Sequence, residues 1–289
     1  MADHAALRVA VAQIASRPGD IDANLRKHKD VIAAARAAGV ELLLFPELSL
    51  TGHSAGPDTL CIAMDRKHPH VASIAEATGD MCSVFGFIEE GHGAQFFNTA
   101  LAVRGGKLLH AHRKINIPSY GGLEEGKYYG QGRHVESFAL RPPWRTGLLI
   151  CADTWNPPLV HLAALQGTTL LLVPISSAAG VVGAEFDNPG GWETNLRFYA
   201  LTYGMHVMMT NRVGKEGDLT FWGGSRIIDP FGRVLASAAG HEEELVCAEL
   251  HYDDIRRARF LLPTLRDANL PMVQRELERV QQALNKPRP

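Results

Sequence analysis

The hydrophobic pattern at the start of the chain changes period twice. Arg8 to Ile14 interleaves apolar and polar residues at the spacing of a strand, and Ile21 to Ala38 places apolar residues at helical spacing. Asp20 or Asp22 is suited to cap that helix at its N-terminus. Val40 to Phe45 is then an unbroken apolar run. The pattern predicts strand, helix and buried strand in succession.

The same alternation continues to about residue 250, with hairpins added. Gly105-Gly106 and Pro230-Phe231-Gly232 each separate two strand-like runs, which predicts two β-hairpins. The predicted strands of this region are 83–88, 98–104, 107–112, 148–150, 168–173, 207–210, 226–229, 233–236 and 246–250, and the predicted helices are 71–78, 159–166 and 193–203.

Two halves rich in βαβ units, with hairpins between them, predict an α/β fold: an αββα sandwich of two mixed β-sheets flanked by helices. No composition shift divides the chain, so residues 1–262 are interpreted as one domain. Residues 263–289 are interpreted as a C-terminal tail. Its apolar spacing from Pro271 to Leu284 predicts a helix that packs on the domain or on a partner subunit.

Composition limits the classes of protein that this chain can belong to. Of its 289 residues 46% are hydrophobic, and the formal net charge is −2, so neither nucleic acid nor an anionic membrane is an expected partner. The first strand-like run begins by Leu7, which makes a secretory signal an unfavoured interpretation. Cys61, Cys82, Cys151 and Cys247 form no paired motif, so we expect reduced thiols and a cytoplasmic location.

Three chemically active residues each follow an apolar run. Cys151 ends the run Leu148–Ile150, Glu47 follows the run that ends at Pro46, and Lys114 follows a third. Taken singly, each residue has a simpler interpretation: a buried structural thiol, a cap, and a surface charge at a strand end. Taken together they predict one site, because side chains at strand exits are the ones that substrates reach in layered α/β folds.

A cysteine attacks a carbonyl well only when a base or a cation favours its thiolate. None of the 13 histidines stands in a local pattern typical of cysteine hydrolases, although a spatial pairing stays open. The alternative base is a desolvated carboxylate assisted by a lysine. His110 and His112 resemble half of a metal site, but no further ligands at suitable spacing accompany them.

Three segments of this chain resemble the sequence blocks of the nitrilase, or carbon–nitrogen hydrolase, superfamily. They are Phe45-Pro46-Glu47-Leu48-Ser49-Leu50-Thr51-Gly52, His112-Arg113-Lys114-Ile115-Asn116-Ile117-Pro118 and Ile150-Cys151-Ala152-Asp153-Thr154-Trp155. The resemblance runs from about Arg8 to Leu250 and implies the αββα fold that the pattern had already predicted. It also implies a catalytic triad of Glu47, Lys114 and Cys151.

Many members of that superfamily use a second glutamate after the lysine block. The matching stretch here is Tyr120-Gly121-Gly122-Leu123-Glu124-Glu125, so Glu125 is the candidate and Glu124 the alternative. Four further residues near the blocks are candidate substrate-binding residues: Tyr120, Ala152, Trp155 and Ser177. The resemblance requires neither a metal nor an organic cofactor, and it implies a homodimer or a higher homo-oligomer, with the apolar segment Leu159–Gln166 as a candidate contact.

The resemblance implies an amidohydrolase that releases ammonia from a small-molecule amide through a thioester on Cys151. The sequence Cys151-Ala152-Asp153 differs from the Cys-Trp-Glu typical of nitrilases and favours the amidase branch. An N-carbamoyl amine or amino-acid hydrolase, a nitrilase, and a catalytically silent binding protein stay open. A glutaminase is less favoured, because the loop from Ser176 to Gly183 has no basic residue to bind an amino-acid carboxylate.

Overall fold

The computed structural model describes residues 6–53 and 55–285. The strands are β1 (Ala6–Gln13), β2 (Leu42–Leu44), β3 (Cys82–Gly91), β4 (Gln95–Arg104), β5 (Lys107–Arg113), β6 (Ser137–Arg141), β7 (Trp144–Leu148), β8 (Leu170–Ile175), β9 (His206–Asn211), β10 (Val213–Glu216), β11 (Leu219–Trp222), β12 (Arg226–Ile228), β13 (Val234–Ser237) and β14 (Glu244–His251). The helices are α1 (Ile21–Ala37), α2 (Thr59–Ile62), α3 (Pro69–Thr78), α4 (Pro157–Leu165), α5 (Asn188–Tyr203), α6 (Tyr252–Leu261) and α7 (Leu270–Leu284).

Twelve of these strands form two six-stranded mixed sheets. The first sheet has the order β14-β1-β2-β3-β4-β5, and the second has the order β13-β12-β9-β8-β7-β6. Strands β1, β2 and β3 are mutually parallel in the first sheet, as β7, β8 and β9 are in the second. Antiparallel strands flank each parallel centre. Helical crossovers between parallel strands cover each sheet on one face.

Side chains along each central strand point alternately to the core between the two sheets and to a core under the helices of that strand's own sheet. Val9 and Val11 of β1 belong to the core between the sheets, whereas Ala10 lies in the core under the helices of the first sheet. Leu172 of β8 likewise faces the first sheet, while Leu171 faces the helices of the second. Because successive strand residues point to opposite faces, two-sided burial requires a continuous apolar run.

Helix α1 shows how sequence determines one of the outer layers. The Asp20 side chain caps it by accepting a hydrogen bond from the amide of Ala23 at 3.0 Å. Ile32 and Ala35 are buried on its inner face, with less than 2% of their surface exposed. Burying a side chain such as Ile32 contributes about 2 kcal/mol.

The αββα prediction is confirmed, and the two hairpins lie where the glycine turns predicted them. Gly105 and Gly106 both have positive φ, which is what a two-residue turn of this hairpin type requires. The sequence interpretation omitted β6, the β10–β11 hairpin, α2 and α6, and its strand 148–150 overlaps β7 only at Leu148. The omitted strands and α2 have only four or five residues each, and five of the ten residues of α6 are charged, so their apolar positions are too few to show a period.

Helix α7 forms over the segment predicted to be helical, and none of its residues is buried. Its apolar side chains include Leu277 at 65% and Leu284 at 77% exposed. The division into residues 1–262 and a packed tail therefore stays a prediction, as does packing on a partner. Across the described residues, none of the helices is both long enough and apolar enough to span a membrane.

Candidate active site

Glu47 lies just beyond the carboxyl end of β2, in a tight turn. Leu48, the next residue, has a φ of 51°, and the turn rests on Gly86 of β3. A Cβ at Gly86 would lie 2.4 Å from the Leu48 nitrogen, so only glycine lets the turn approach the sheet this closely. The carboxylate of Glu47 is 1% exposed, and its Oε2 accepts a hydrogen bond from the amide of Ser176 at 2.8 Å.

Lys114 follows β5 and is completely buried, so its interpretation as a surface charge is wrong. Its Nζ donates to Oε1 of Glu47 at 2.7 Å and to both carboxylate oxygens of Glu125 at 2.8 Å. Burial alone would lower the pKa of Lys114, but the charges of Glu125 and Glu47 outweigh it and hold that pKa well above its ordinary value. Lys114 is therefore a fixed cation.

Glu125, not Glu124, is the second glutamate that the structure places at this site. Glu124 is exposed and pairs with Lys127, whereas Glu125 is 6% exposed and contacts Lys114. Burial opposes ionisation of Glu125, but the adjacent Lys114 outweighs it and lowers the pKa of this carboxyl to about 2. Asn98 of β4 links the two carboxylates: its Nδ2 donates to Glu47 at 2.8 Å and to Glu125 at 3.5 Å.

Cys151 begins a 3₁₀ turn, Cys151–Trp155, in a strained backbone conformation with a φ of 46°. A non-glycine residue at positive φ is uncommon, and such strain occurs often at functional positions. Burial and the negative charge of Glu47 raise the pKa of the Cys151 thiol well above its ordinary value, although Lys114 acts in the opposite direction. The resting group is therefore a neutral thiol, which needs a base before it can attack.

Asp153 joins the cysteine turn to the lysine strand. Its Oδ2 accepts hydrogen bonds from the amide of Ile150 at 3.0 Å and pairs with Nε2 of His112 at 2.8 Å. Its Oδ1 accepts from the amides of Ile115 and Asn116 at 2.9 and 2.8 Å. Because these amides flank Cys151 and Lys114 in sequence, one buried carboxylate determines how the thiol and the ammonium are placed relative to each other.

A cavity of about 240 Å³ opens beside Cys151. All four predicted substrate-binding residues line it: Tyr120, Ala152, Trp155 and Ser177. Glu125 and His53 reach the same cavity, and Trp155 packs edge-on against Trp192 with ring centroids 5.1 Å apart. The structure thus brings the predicted residues to one place, while their roles stay predictions.

His53 is a pocket residue that the sequence interpretation omitted. Its Nε2 lies 3.6 Å from Oε1 of Glu125, and its buried Nδ1 has no hydrogen-bond partner among the described residues. The ring packs edge-on against Phe221, with centroids 6.0 Å apart. A histidine paired in space with the site was left open by the sequence, and only the fold shows where it lies.

Three further contacts of the site had weak signals in the sequence. Asn98 interrupts an apolar strand, which is the pattern of a buried polar residue with a specific partner. Ser176 and Asp153 sit beside predicted residues but have no spacing rule of their own.

His110 and His112 do not form a metal site: His110 stacks on Phe138, and His112 binds Asp153. Within the described residues, no group of His, Cys, Asp and Glu is arranged to hold a metal ion.

The arrangement combines the thiol of Cys151, which lines the cavity, with a buried carboxylate and a buried ammonium. Glu47 and Lys114 are linked to the cavity lining by their contacts with Ser176 and Glu125. Glu47 and Glu125 with Lys114 give a net charge of −1 next to a neutral thiol. Such a site can transfer a proton from sulfur to a carboxylate and can stabilise negative charge that develops near Lys114.

The chain is similar to known proteins over most of its length. The family model described as carbon-nitrogen hydrolase matches residues 8–260. The glutamine-dependent NAD(+) synthetase of Thermotoga maritima is 30% identical over 267 residues, which cover 90% of this chain and 45% of that protein. The chain therefore spans about half the length of this curated relative.

Two amidases match over almost their whole length. The (R)-stereoselective amidase of a Pseudomonas species is 30% identical over 269 residues, covering 91% of this chain and 92% of that protein. A mutant of the amidase from Nesterenkonia sp. AN1, with the acetamide moiety of fluoroacetamide added covalently at its active site cysteine, aligns with a TM-score of 0.79. That alignment has 26% identity and covers 93% of this chain and 96% of the other.

Proposed function

We propose, from the premise that this chain belongs to the carbon–nitrogen hydrolase family, that it hydrolyses a small-molecule amide to a carboxylic acid and ammonia. Cys151 is the nucleophile, Glu47 the general base and acid, and Lys114 the cation that stabilises the oxyanion. The observation that supports this most is the buried contact of Lys114 with both Glu47 and Glu125, since Glu125 lines the same cavity as Cys151.

In the first step Glu47 takes the thiol proton while sulfur attacks the amide carbonyl. The raised pKa of Cys151 makes this transfer necessary, because little thiolate exists beforehand. The carbon–sulfur bond forms and the carbonyl oxygen becomes an oxyanion. Protonation of Glu47 weakens the hydrogen bond that it accepts from Lys114, so one N–H of Lys114 becomes free to donate to the oxyanion. A second donor is a backbone amide just after Cys151, and each such donor contributes about 3–4 kcal/mol.

In the second step the tetrahedral intermediate collapses and the carbon–nitrogen bond breaks. Glu47 returns its proton to the departing nitrogen, so ammonia leaves and a thioester remains on Cys151. Glu47 is then again a carboxylate next to the cavity. It takes a proton from water as the water oxygen attacks the thioester, and it returns that proton to sulfur when the acid leaves.

Glu125 acts as a positioning residue for Lys114. Both of its oxygens accept from Nζ, which keeps the ammonium in place when Glu47 becomes protonated. His53, 3.6 Å from Glu125 on the cavity side, restricts the motion of that carboxylate.

Ammonia release from a panel of amides, N-carbamoyl compounds, glutamine and nitriles tests the proposal. The matched variants are Cys151→Ala and Cys247→Ala, since Cys247 is an exposed free cysteine away from the cavity. We expect release from amides by the parent and by Cys247→Ala, and none by Cys151→Ala. A thioester mass adduct on a Cys151 peptide after rapid quenching is the second expected result.

Other outcomes select the alternatives. Release only from N-carbamoyl compounds indicates a carbamoyl hydrolase, and release only from nitriles indicates a nitrilase. Amide turnover that persists in Cys151→Ala contradicts the assigned nucleophile. Binding of amides without any turnover indicates a catalytically silent binding protein.

A further inference from the structure

The cavity has one apolar wall. Its side chains are Leu123, Trp155, Val181, Val182, Phe186 and Trp192. The cavity volume of about 240 Å³ is below the roughly 300–1,000 Å³ that is usual for ligand pockets. The acyl group of a substrate therefore meets mostly carbon atoms and must be small.

Ser177 is one of several polar residues that also line the cavity, with His53, Tyr120, Ser176 and Asn188. Its Oγ accepts hydrogen bonds from the indole Nε1 of Trp192 at 3.1 Å and of Trp222 at 3.0 Å. A serine hydroxyl has two acceptor positions and one donor hydrogen. Both acceptor positions are occupied, so the hydroxyl can act toward a ligand only as a donor. Within the described part of the chain the hydroxyl donates no hydrogen bond of its own.

The backbone of Ser177 is held in place as well. Its N–H donates to Oδ1 of Asn211 at 2.9 Å, and its carbonyl accepts from Nδ2 of Asn211 at 3.1 Å. The preceding residue, Ser176, donates its amide to Glu47. The donor at Ser177 thus has a fixed position relative to the proposed general base, and ordering it on substrate binding costs little entropy.

Charge in the cavity disfavours an ionised acyl group. Among the described residues no lysine or arginine lines it, and its glutamate, Glu125, is already bound to Lys114. A substrate carboxylate would lose its hydration without gaining a cation and would lie near the net negative charge of Glu47, Lys114 and Glu125. A substrate ammonium would face apolar side chains, where no free carboxylate could pair with it.

We propose that the substrates are uncharged amides whose small apolar or aromatic acyl group has one hydrogen-bond acceptor, and that the Ser177 hydroxyl binds this acceptor. The inference rests on the proposed function and specifies its substrate class. It predicts selection for a lone acceptor, because a substrate without one covers the hydroxyl hydrogen and leaves it unpaired against apolar side chains.

Isosteric aromatic amides test the inference. Benzamide is compared with picolinamide, nicotinamide and isonicotinamide, in which a ring nitrogen replaces one CH, and 4-carbamoylbenzoate supplies the charged analogue. We expect kcat/KM of the best pyridine isomer to exceed that of benzamide beyond the ratio of their alkaline hydrolysis rates, and 4-carbamoylbenzoate to be hydrolysed least. In Ser177→Ala the pyridine-to-benzamide ratio is expected to fall by roughly 5- to 50-fold.

Ser83→Ala is the matched control, since Ser83 is a buried serine of β3 whose hydroxyl has no partner among the described residues. Its ratio is expected to equal that of the parent. An unchanged ratio in Ser177→Ala, or a preference for the charged analogue, overturns the inference while amide turnover keeps the proposed function. Absence of Cys151-dependent ammonia from every amide overturns the proposed function itself.

Ser177→Ala also removes the acceptor of two buried indoles, so a second variant guards against loss of folding. Trp222→Phe frees one acceptor position on Ser177 and allows the hydroxyl to rotate. We expect the pyridine-to-benzamide ratio to fall in this variant too. If both variants are unfolded, the ratio in the parent decides: no preference beyond intrinsic reactivity contradicts the inference.

Discussion

At the scale of single residues, the most costly feature of this protein is the buried trio of Lys114, Glu47 and Glu125. Desolvating three charges is unfavourable, and it is tolerated because each oxygen and nitrogen of the trio has a close partner. The trio gives no clear gain in stability over an apolar core. Its retention is best explained by the chemistry proposed for Cys151.

Replacing Lys114 by alanine tests the trio directly. The change leaves two buried carboxylates without their cation, so we expect the free energy of unfolding to fall by about 3–5 kcal/mol. We also expect kcat for amide hydrolysis to fall at least ~100-fold, because the oxyanion loses a donor. Denaturant melts and ammonia release measure the two effects.

Lys127→Ala is the control for that prediction. Lys127 pairs with Glu124 at the surface, and both side chains are more than 60% exposed. Its removal is expected to leave both the stability and the turnover as in the parent. Equal effects of the two variants would contradict a special role for Lys114.

The two adjacent glutamates allow a second residue-scale prediction. Glu125→Gln keeps the shape of the side chain but removes the charge that holds Lys114, so we expect kcat to fall by roughly 10- to 100-fold with the fold intact. Glu124→Gln, one position away and exposed, is expected to have parent activity. Steady-state kinetics of both variants on one amide checks this, and the reverse order of effects would assign the role to Glu124.

At the scale of elements, the site depends on how closely the turn after β2 approaches β3. Gly86→Ala places a Cβ 2.4 Å from the Leu48 nitrogen, which must shift Glu47 and its partners. We expect a loss of kcat of at least ~10-fold and destabilisation by about 1–3 kcal/mol. Gly240→Ala, at a position with open space, serves as the control in thermal melts and activity assays.

Helix α1 predicts a dependence of stability on pH through His28. Burial between the helix and the first sheet lowers the pKa of His28 from 6.5 to about 4, with the Asn24 carbonyl opposing and Lys27 assisting. In the unfolded chain His28 binds a proton as the pH falls below about 6.5, whereas in the native state it does so only below about pH 4. The contribution of His28 to the free energy of unfolding is therefore full above about pH 6.5 and is lost as the pH falls from there to about 4.

We expect His28 to account for the loss of about 2 kcal/mol between pH 7 and pH 5. Urea melts at both pH values measure this loss. We expect His28→Gln to reduce the difference in the free energy of unfolding between the two pH values, and His134→Gln, at an exposed position, to leave that difference unchanged. His110 and His206 have pKa values lowered to about 4 by burial as well, so some dependence remains in His28→Gln. A parent protein equally stable at both pH values would contradict the assignment.

At the scale of the whole molecule, the outer face of the helices on the second sheet is unusually apolar. Leu162 of α4 and Phe198 and Leu201 of α5 are 46–53% exposed. Exposed apolar groups of this kind often mark an interface between subunits. This agrees with the prediction that the segment Leu159–Gln166 contributes to a homodimer, which stays a prediction.

Light scattering on size-exclusion fractions tests the dimer. Phe198→Asp places a charge on the apolar face and is expected to shift the protein toward monomer at micromolar concentration. Leu109→Asp, a change at a 38% exposed position on the edge strand β5, is the control on a distant face. Identical masses for the parent and both variants would refute this face as the contact.

The sequence by itself was sufficient for the layers and for part of the candidate site, but it did not indicate His53. Burial on both faces requires the continuous apolar runs of β2 and β8. The sequence shows where these runs end, because the polar residues Glu47 and Ser176 follow them. The same local chemistry indicated the hairpin at Gly105-Gly106, because both residues need positive φ. These features depend on neighbours along the chain, which a sequence displays directly.

Only the tertiary structure decided which groups meet across the chain. It places Glu125, and not Glu124, against Lys114, and it buries Lys114 between two carboxylates. It also brings Asp153 into contact with His112 and with the segment after Lys114. It also directed the indoles of Trp192 and Trp222 to one hydroxyl, that of Ser177. Such contacts join residues tens of positions apart, and their energies depend on burial and distance. Neither quantity exists until the two sheets have packed.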